Sequence, residues 1–261
     1  MLSISMGALA GGSLRPAYLV LLAALSGGFI TAAANTINDF FDLEIDRVNK
    51  PHRPLPAGLV SPVRARNWAF LLFAIGIALS IFIRPLAFGI AVFSSLLLFL
   101  YSYRLKRTVL WGNLTVSLIS GIAFVYGGIA VNHVEMAFIP AVFAFFFHFG
   151  REVLKDLEDV PGDKKDNVKT FPISHGLNPT RWLISAIFLL LIFLTFIPYI
   201  AGIFGRIYLL IVLVGVDLFL IYVIASLWRD ASIRNLHRLS EALKVDMLVG
   251  LLAIFAGITF G

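Results

Sequence analysis

The sequence predicts an all-α membrane protein, a polytopic bundle of about nine transmembrane helices of which the first is short. Three observations carry this. Hydrophobic residues make up 59% of the 261, and mean hydropathy is +0.92, above the roughly half-apolar composition of soluble domains. The apolar residues gather in continuous runs that do not alternate, so helices are expected rather than a β-barrel. The basic residues fall almost wholly on every second connection between those runs.

The runs lie at about 15–37, 67–83, 86–103, 110–131, 135–150, 180–204, 206–228 and 241–260. Each approaches the about 20 residues that a spanning helix needs. Residues 1–12, "MLSISMGALAGG", form a shorter run that precedes them. It lacks the basic start and small-residue cleavage site of a secretory signal. It is expected to be a shortened first span or the remainder of a longer one. Of the 21 Lys and Arg residues, all but Arg15, Arg84 and Arg206 sit after the second, fourth, sixth and eighth spans. The positive-inside rule places those connections in the cytoplasm and the C-terminus outside the cell membrane. With no cysteine, disulfides, thiolate metal sites and cysteine nucleophiles are excluded. The basic excess of +6 is read as membrane orientation, and no nucleic-acid partner is expected.

Orientation does not require acid, yet two of these connections are dense in it. "NDFFDLEIDRVNKPHRPLPAG" occupies positions 38–58, directly after the second run. On a helix of about 100° per residue, Asp39, Asp42 and Asp46 fall within roughly 60° of one another. Asn35 points the same way one turn earlier, and Asn38, Asp42 and Asp46 form a ladder four residues apart. "REVLKDLEDVPGDKKDN", positions 151–167, closes the sixth run. Asp156, Asp159 and Asp163 repeat the spacing of Asp39, Asp42 and Asp46, and Glu152 matches Asn35. The repeat suggests one domain, 1–261, with two related halves of about 1–131 and 132–261. Pro161-Gly162 is expected to end the second helix, leaving Asp163 in a loop.

Two solvated helix ends with unrelated carboxylates are the plain alternative. Acids at a helix C-terminus oppose its dipole and repel one another, so two matched clusters argue for a ligand. Hard oxygen donors without sulfur suit Mg²⁺. Such clusters, brought together, would hold Mg²⁺ ions that bridge a diphosphate, with nearby cations taking up the remaining charge. An allylic prenyl diphosphate, a charged head on an apolar tail, fits a site at a membrane edge. Its loss of diphosphate is favoured when metal and cations stabilise the leaving group.

The two quoted segments resemble the first and second aspartate-rich motifs of the UbiA superfamily of intramembrane prenyltransferases. The longer "REVLKDLEDVPGDK" is similar to its archaeal ether-lipid branch. The resemblance covers nearly the whole chain. It implies nine helices around a central cavity with two cytoplasmic cap loops. It implies that Asn38, Asp42, Asp46, Asp159 and Asp163 bind Mg²⁺ and diphosphate, and that Asp39 and Asp156 support or share that duty. Asp39, Asp42, Asp156 and Asp159 are thereby the candidate catalytic residues. For the archaeal branch the donor would be geranylgeranyl diphosphate and the lipid-like acceptor geranylgeranylglyceryl phosphate. "YSYRLKR", 101–107, resembles the family's tyrosine-and-lysine element, which makes Tyr101 or Tyr103 a pocket residue and Lys106 a diphosphate contact. The family's usual Arg-Pro-type element in a full first helix has no counterpart in residues 1–12.

Further candidates for substrate binding are Asn35, Arg53, Asn113, His148, Lys155 and Lys164. Asn113 and Ser117 lie four apart on the fifth run and are read as lining a cavity, with helix–helix hydrogen bonding as the competing account. His148 shares a face with Glu152. Asp217, deep in the eighth run, is expected to face a partner within the bundle. Gly27-Gly28 and Gly127-Gly128 are read as close-packing positions. Ring faces among the 24 phenylalanines would stabilise a prenyl cation, and released diphosphate or an aspartate would take the acceptor's proton. An aromatic acceptor such as 4-hydroxybenzoate or a naphthoate is the alternative within the superfamily. A transporter is disfavoured because the acids cluster at one membrane face rather than the midplane. A CDP-alcohol phosphotransferase lacks its DG-x2-AR prelude here.

Overall fold

The computed structural model describes residues 1–12, 14–165 and 168–260, and the regular elements among them are all helical. In chain order these are α1 (Leu2–Ala10), α2 (Ala17–Phe41), α3 (Leu43–Asn49), α4 (Pro62–Ile81), α5 (Pro85–Tyr103), α6 (Trp111–Ala130), α7 (Phe138–Lys165), α8 (Phe171–His175), α9 (Leu177–Ile200), α10 (Arg206–Ile211), α11 (Leu218–Arg229) and α12 (Ile233–Phe260). One 3₁₀ turn follows α5 at Leu105–Arg107, and a π-helical segment, Val212–Asp217, joins α10 to α11. Among the described residues, seven helices are long and apolar enough to cross a membrane: α2, α4, α5, α6, α9, the continuous Arg206–Arg229 and α12. The apolar start of α7, residues 138–150, adds an eighth stretch, and α1 is the short ninth.

Several helices run beyond their apolar segments. α4 begins at Pro62, with Pro in its first turn and the Ser61 side chain accepting from the Arg64 backbone N–H at 3.3 Å. Ser is a favoured N-cap, and Pro at the first helical position costs no hydrogen bond. α12 likewise starts at Ile233, well ahead of its apolar run. The expected break at Pro161-Gly162 does not occur, since α7 continues to Lys165. Proline removes one bond of the ladder, but this one falls near the helix end, where few bonds depend on it. Asp156, Asp159 and Asp163 therefore ride on one helix. In the first motif the single helical stripe is interrupted instead. α2 ends at Phe41, and Asp42, at φ −92° and ψ 4°, separates it from α3.

The chain packs as two compact units, one of residues 1–106 and 123–134, the other of residues 107–122 and 135–261. In the first, α2 is the central element. Ile30, Ala33, Ala34 and Ile37 meet Ala69 and Phe73 of α4 and Ala91 of α5. The Ser26 hydroxyl donates to the Gly76 carbonyl at 2.7 Å and lies 2.8 Å from the Tyr126 hydroxyl. That tie joins α2 to α4 and to the end of α6. In the second unit, Leu154 and Leu157 of α7 pack with Ile184, Phe188 and Leu191 of α9 and with Leu236, Leu239 and Leu243 of α12. Trp228 donates to Ser185 at 3.1 Å and packs edge-on against the exposed Trp182, as aromatic residues do at a membrane boundary.

Small residues set the spacing of α1. A Cβ at Gly127 would lie 1.8 Å from the Ile4 carbonyl oxygen, and one at Gly7 would lie 1.9 Å from that of Phe124. Both obstacles are backbone, which no rotamer change relieves. We expect Gly127→Ala to destabilise the protein by about 1–3 kcal/mol, the usual cost of overpacking, read as a lower melting temperature in detergent. Gly89→Ala is the control, since nothing lies within 4 Å of a Cβ there. Equal melting temperatures for the two variants would refute close α1 packing.

Candidate functional site

The first motif splits into two cation-bound halves. Lys106, in the turn after α5, donates to the Asn38 side-chain oxygen at 2.8 Å and to Asp42 Oδ1 at 2.5 Å. Asn38 Nδ2 closes the triangle by donating to Asp42 Oδ2 at 2.9 Å. Lys106 and Asp42 are both largely buried, at 13% and 21% side-chain exposure, so this charge-assisted contact is little screened. Arg53 serves the other half. Its Nη1 donates to Asp39 Oδ1 at 3.0 Å and to Asp46 Oδ2 at 2.8 Å. Asp46 is 4% exposed, and Lys50 stands 4.0 Å from its other oxygen.

The split corrects the single stripe expected from spacing. Neighbouring residues on a helix diverge by about 100°, so Asn38 and Asp39 face different partners. The interruption at Asp42 then lets Asp46, on α3, turn toward Arg53. The segment after α3 is proline-rich, with Pro51, Pro54 and Pro56, and turns at Gly58, whose φ of +75° suits glycine. It brings Arg53 back over α2. Asn35 lies one turn earlier and is exposed. A cavity of about 320 Å³ lies beside this half, lined by Thr36, Asp39, Arg53, Leu55, Trp68 and Leu72 among others. Phe41, Phe99 and the exposed Tyr103 form an aromatic group, with Tyr103 5.6 Å from Phe41 and 6.5 Å from Phe99. Tyr101 is half-buried.

The second cluster belongs to the other unit and is built differently. Asn113 of α6 donates to Asp156 Oδ2 of α7 at 2.9 Å, and Ser117 donates to the Asn113 carbonyl at 2.6 Å. Asn113 thus makes a helix–helix hydrogen bond and its side-chain amide orients an aspartate, while Ser117 bonds within its own helix. Burial pushes the Asp156 carboxyl up to about 7; the Asn113 hydrogen bond opposes this, and the charges of Asp163, Glu152 and Asp159 add to it. A cation bound nearby would hold that carboxyl ionised. Asp159 is exposed and Asp163 half-buried. Lys155 and Lys164 are exposed on the same helix. Glu152 pairs with Arg151 at 2.8 Å. His148 Nδ1, one turn below Glu152, is buried without a hydrogen-bond partner, a state that calls for a ligand or water.

Sequence reasoning missed two features here. Glu158 lies 2.7 Å from His237 Nδ1, joining α7 to α12. Asp246 is buried within α12. The first has no local signal. The second stands as an acid inside an apolar run, which is signal enough.

Among the described residues, no three His, Asp or Glu side chains converge closely enough to hold a metal unaided. Mg²⁺ commonly binds through one or two carboxylates, completed by water and substrate phosphate. The Asn38–Asp42 oxygens fit that demand. They already surround an ammonium group, so the position attracts a cation.

Residues 1–240 match the UbiA prenyltransferase family. A digeranylgeranylglyceryl phosphate synthase from Methanosphaera stadtmanae is 34% identical over 241 residues, which is 92% of this chain and 88% of that protein. A solved structure of a digeranylgeranylglyceryl phosphate synthase superposes with a TM-score of 0.85 at 33% identity, covering 100% of this chain and 94% of that one. A UbiA homologue from Archaeoglobus fulgidus, solved bound to GPP and Mg²⁺, shares the fold with a TM-score of 0.66 at 19% identity, covering 97% of this chain and 95% of that one. The chain belongs to the UbiA prenyltransferase family, and it is a multi-pass membrane enzyme of the prenyl-transferring kind.

Proposed function

We propose that the protein transfers a geranylgeranyl group from geranylgeranyl diphosphate to geranylgeranylglyceryl phosphate, releasing diphosphate, as a step of archaeal ether-lipid synthesis. The observation that carries this reading is the full-length likeness to digeranylgeranylglyceryl phosphate synthases, at about a third identity in sequence and 0.85 in TM-score. The cation-seeking triangle of Asn38, Asp42 and Lys106 supports it chemically.

The reaction breaks the bond between the prenyl C1 and the diphosphate oxygen, and forms an ether bond from C1 to the acceptor hydroxyl. Asn38, Asp42 and Asp46 of the first motif would hold Mg²⁺, and so would Asp159 and Asp163 of the second, each bringing diphosphate oxygens to the metal. Bound Mg²⁺ supplies neutralisation of the negative charge that develops on the leaving group. Lys106 transfers its donors from Asp42 to a phosphate oxygen when the donor substrate binds. Arg53, Lys155 and Lys164 take up the remaining phosphate charge, and Asn35 and Tyr101 contact the substrate near its head. Asp39 and Asp156 position the ligating carboxylates, Asn113 orients Asp156, and His148 offers its unpartnered nitrogen to substrate. The acceptor's proton leaves with diphosphate or passes to an aspartate. The protein acts as a single domain in the membrane, with the aspartate motifs on the cytoplasmic side and the C-terminus outside.

Two measurements test this. Purified protein with labelled geranylgeranyl diphosphate, geranylgeranylglyceryl phosphate and Mg²⁺ is expected to form the doubly prenylated product. EDTA should abolish it, and Asp42→Ala should lower turnover by at least about a hundredfold, as loss of a metal ligand and its charge implies. Product on 4-hydroxybenzoate or a naphthoate in place of the lipid acceptor would overturn the substrate assignment. Separately, Lys106→Met is expected to raise the KM for the donor about ten- to a hundredfold, the worth of a hydrogen bond to a charged group, while the KM for the acceptor stays within about twofold. Equal shifts in both constants would remove Lys106 from the diphosphate site.

A further inference from the structure

The proposed reaction joins two phosphate-bearing substrates, a donor diphosphate and an acceptor phosphate monoester. The first motif offers two cations on diverging faces of α2. Lys106 is committed to Asn38 and Asp42, and Arg53 to Asp39 and Asp46. The Arg53 half opens on the cavity of about 320 Å³ between α2, the proline-rich segment and α4, all within the first unit. The charged residues that line this cavity are Arg53 and Asp39.

Both have bonding capacity to spare. Arg53 makes its two carboxylate bonds through Nη1. A guanidinium carries N–H donors on all three nitrogens in a planar fork, so among the described residues Nη2 and Nε keep theirs. The Arg53 side chain is 37% exposed. Asp39 spends Oδ1 on Arg53 and is 47% exposed, which leaves Oδ2 to accept. Thr36, by contrast, has given its hydroxyl to the Ala32 carbonyl at 2.9 Å. The rest of the lining is apolar and includes Leu55, Trp68 and Leu72. Trp68 and Leu72 stand one turn apart on α4, which runs from Pro62, just after the motif, into its membrane span. The cavity thus joins a charged end to an apolar wall that continues along a spanning helix.

We propose, building on the acceptor named above, that this cavity is the subsite for the acceptor's head. Arg53 holds the phosphate monoester, Asp39 accepts a hydrogen bond from the free hydroxyl, and Trp68 and Leu72 lead the prenyl ether chain toward lipid. The Arg53 fork matches phosphate oxygens two at a time, whereas Lys106 is a point charge on the half that serves the donor. In a glyceryl phosphate with one prenyl ether, the free hydroxyl sits on the carbon beside the phosphate-bearing one. A carboxylate 3.0 Å from the guanidinium matches that short separation. In 4-hydroxybenzoate the hydroxyl lies across the ring from the carboxylate, too far apart for this pair. The volume falls at the small end of the about 300–1,000 Å³ of ligand pockets, room for the head and not for a geranylgeranyl chain. The chain therefore leaves the cavity, past Trp68, which is 58% exposed. Asn38 and Asp39 are consecutive on α2, so a hydroxyl held at Asp39 lies beside a donor held at Asn38, as bond formation between them requires.

The test binds labelled geranylgeranylglyceryl phosphate to the full chain in detergent, with EDTA present and no donor. Wild-type protein is expected to bind it. Arg53→Gln should weaken that binding about ten- to a hundredfold, the worth of a hydrogen bond to a charged group, but should change binding of geranylgeranylglycerol, which lacks the phosphate, by less than about twofold. Equal losses for the two ligands would give Arg53 a structural role and overturn the site. Leu72→Trp fills the cavity without touching an ion pair. It should weaken binding of both ligands about tenfold or more, the effect of overpacking, and leave binding of labelled geranylgeranyl diphosphate with Mg²⁺ unchanged; it decides the matter if Arg53→Gln does not fold. No binding by wild-type protein, or undiminished binding by either variant, overturns the site. Wild-type protein that binds the lipid phosphate but transfers nothing to it leaves the site standing and overturns the proposed function. Transfer with an acceptor KM unmoved by Arg53→Gln does the reverse.

Discussion

Charge near a low-dielectric membrane has to be answered by a partner, and most of the specific geometry in this protein follows from that requirement. Isolated carboxylates in such surroundings cost several kcal/mol each, and this chain carries its acids at the ends and in the middle of apolar helices. Three acids of the aspartate motifs each recruit something from elsewhere in the sequence. Asp42 recruits Lys106 from the end of α5. Asp46 recruits Arg53, and in doing so pins the proline-rich segment over α2. Asp156 takes an amide from α6. The loops around the aspartate motifs are therefore held by electrostatics that the substrate itself would share.

Packing supplies the frame on which those partners meet. Within a membrane, a polar contact between helices contributes only about 0.6 kcal/mol on average. The Ser26, Tyr126 and Gly76 tie and the Trp228 to Ser185 contact thus specify register more than they supply stability. Close backbone approach does the larger share. Alanines 33, 34 and 69 line the α2–α4 seam, and the glycines that face α1 leave no room for a side chain. This rigidity keeps Asn38 and Asp42 aimed at Lys106 from helices that share no local sequence.

The first motif is held by its own neighbouring cations. Lys106 holds Asn38 and Asp42, and Arg53 holds Asp39 and Asp46. In the proposed reaction a phosphate-bearing substrate would compete for those same cations and free the carboxylates for Mg²⁺. Asp156 behaves differently, because its high proton affinity follows from burial beside other acids, and a nearby cation would lower it.

Hydropathy alone determined the class of fold and nearly all of the helices, because a membrane span is a local property of about 20 consecutive residues. The spacing of Asp39, Asp42 and Asp46 and its repeat at Asp156, Asp159 and Asp163 likewise marked the candidate site, since the distance between repeated residues is written in the chain. Tertiary structure decided who pairs with whom. Lys106 meets residues 64 and 68 positions away, and Asn113 meets an acid 43 positions away; no local pattern encodes such choices. Structure also decided that α7 runs through Pro161 and that α2 stops short of Asp46, where a single hydrogen bond or one interrupted turn redirects a side chain. The burial of Asp246 Oδ2 without a hydrogen-bond partner belongs to the same category, for a residue's surroundings are a property of the packed helices and not of its neighbours in sequence.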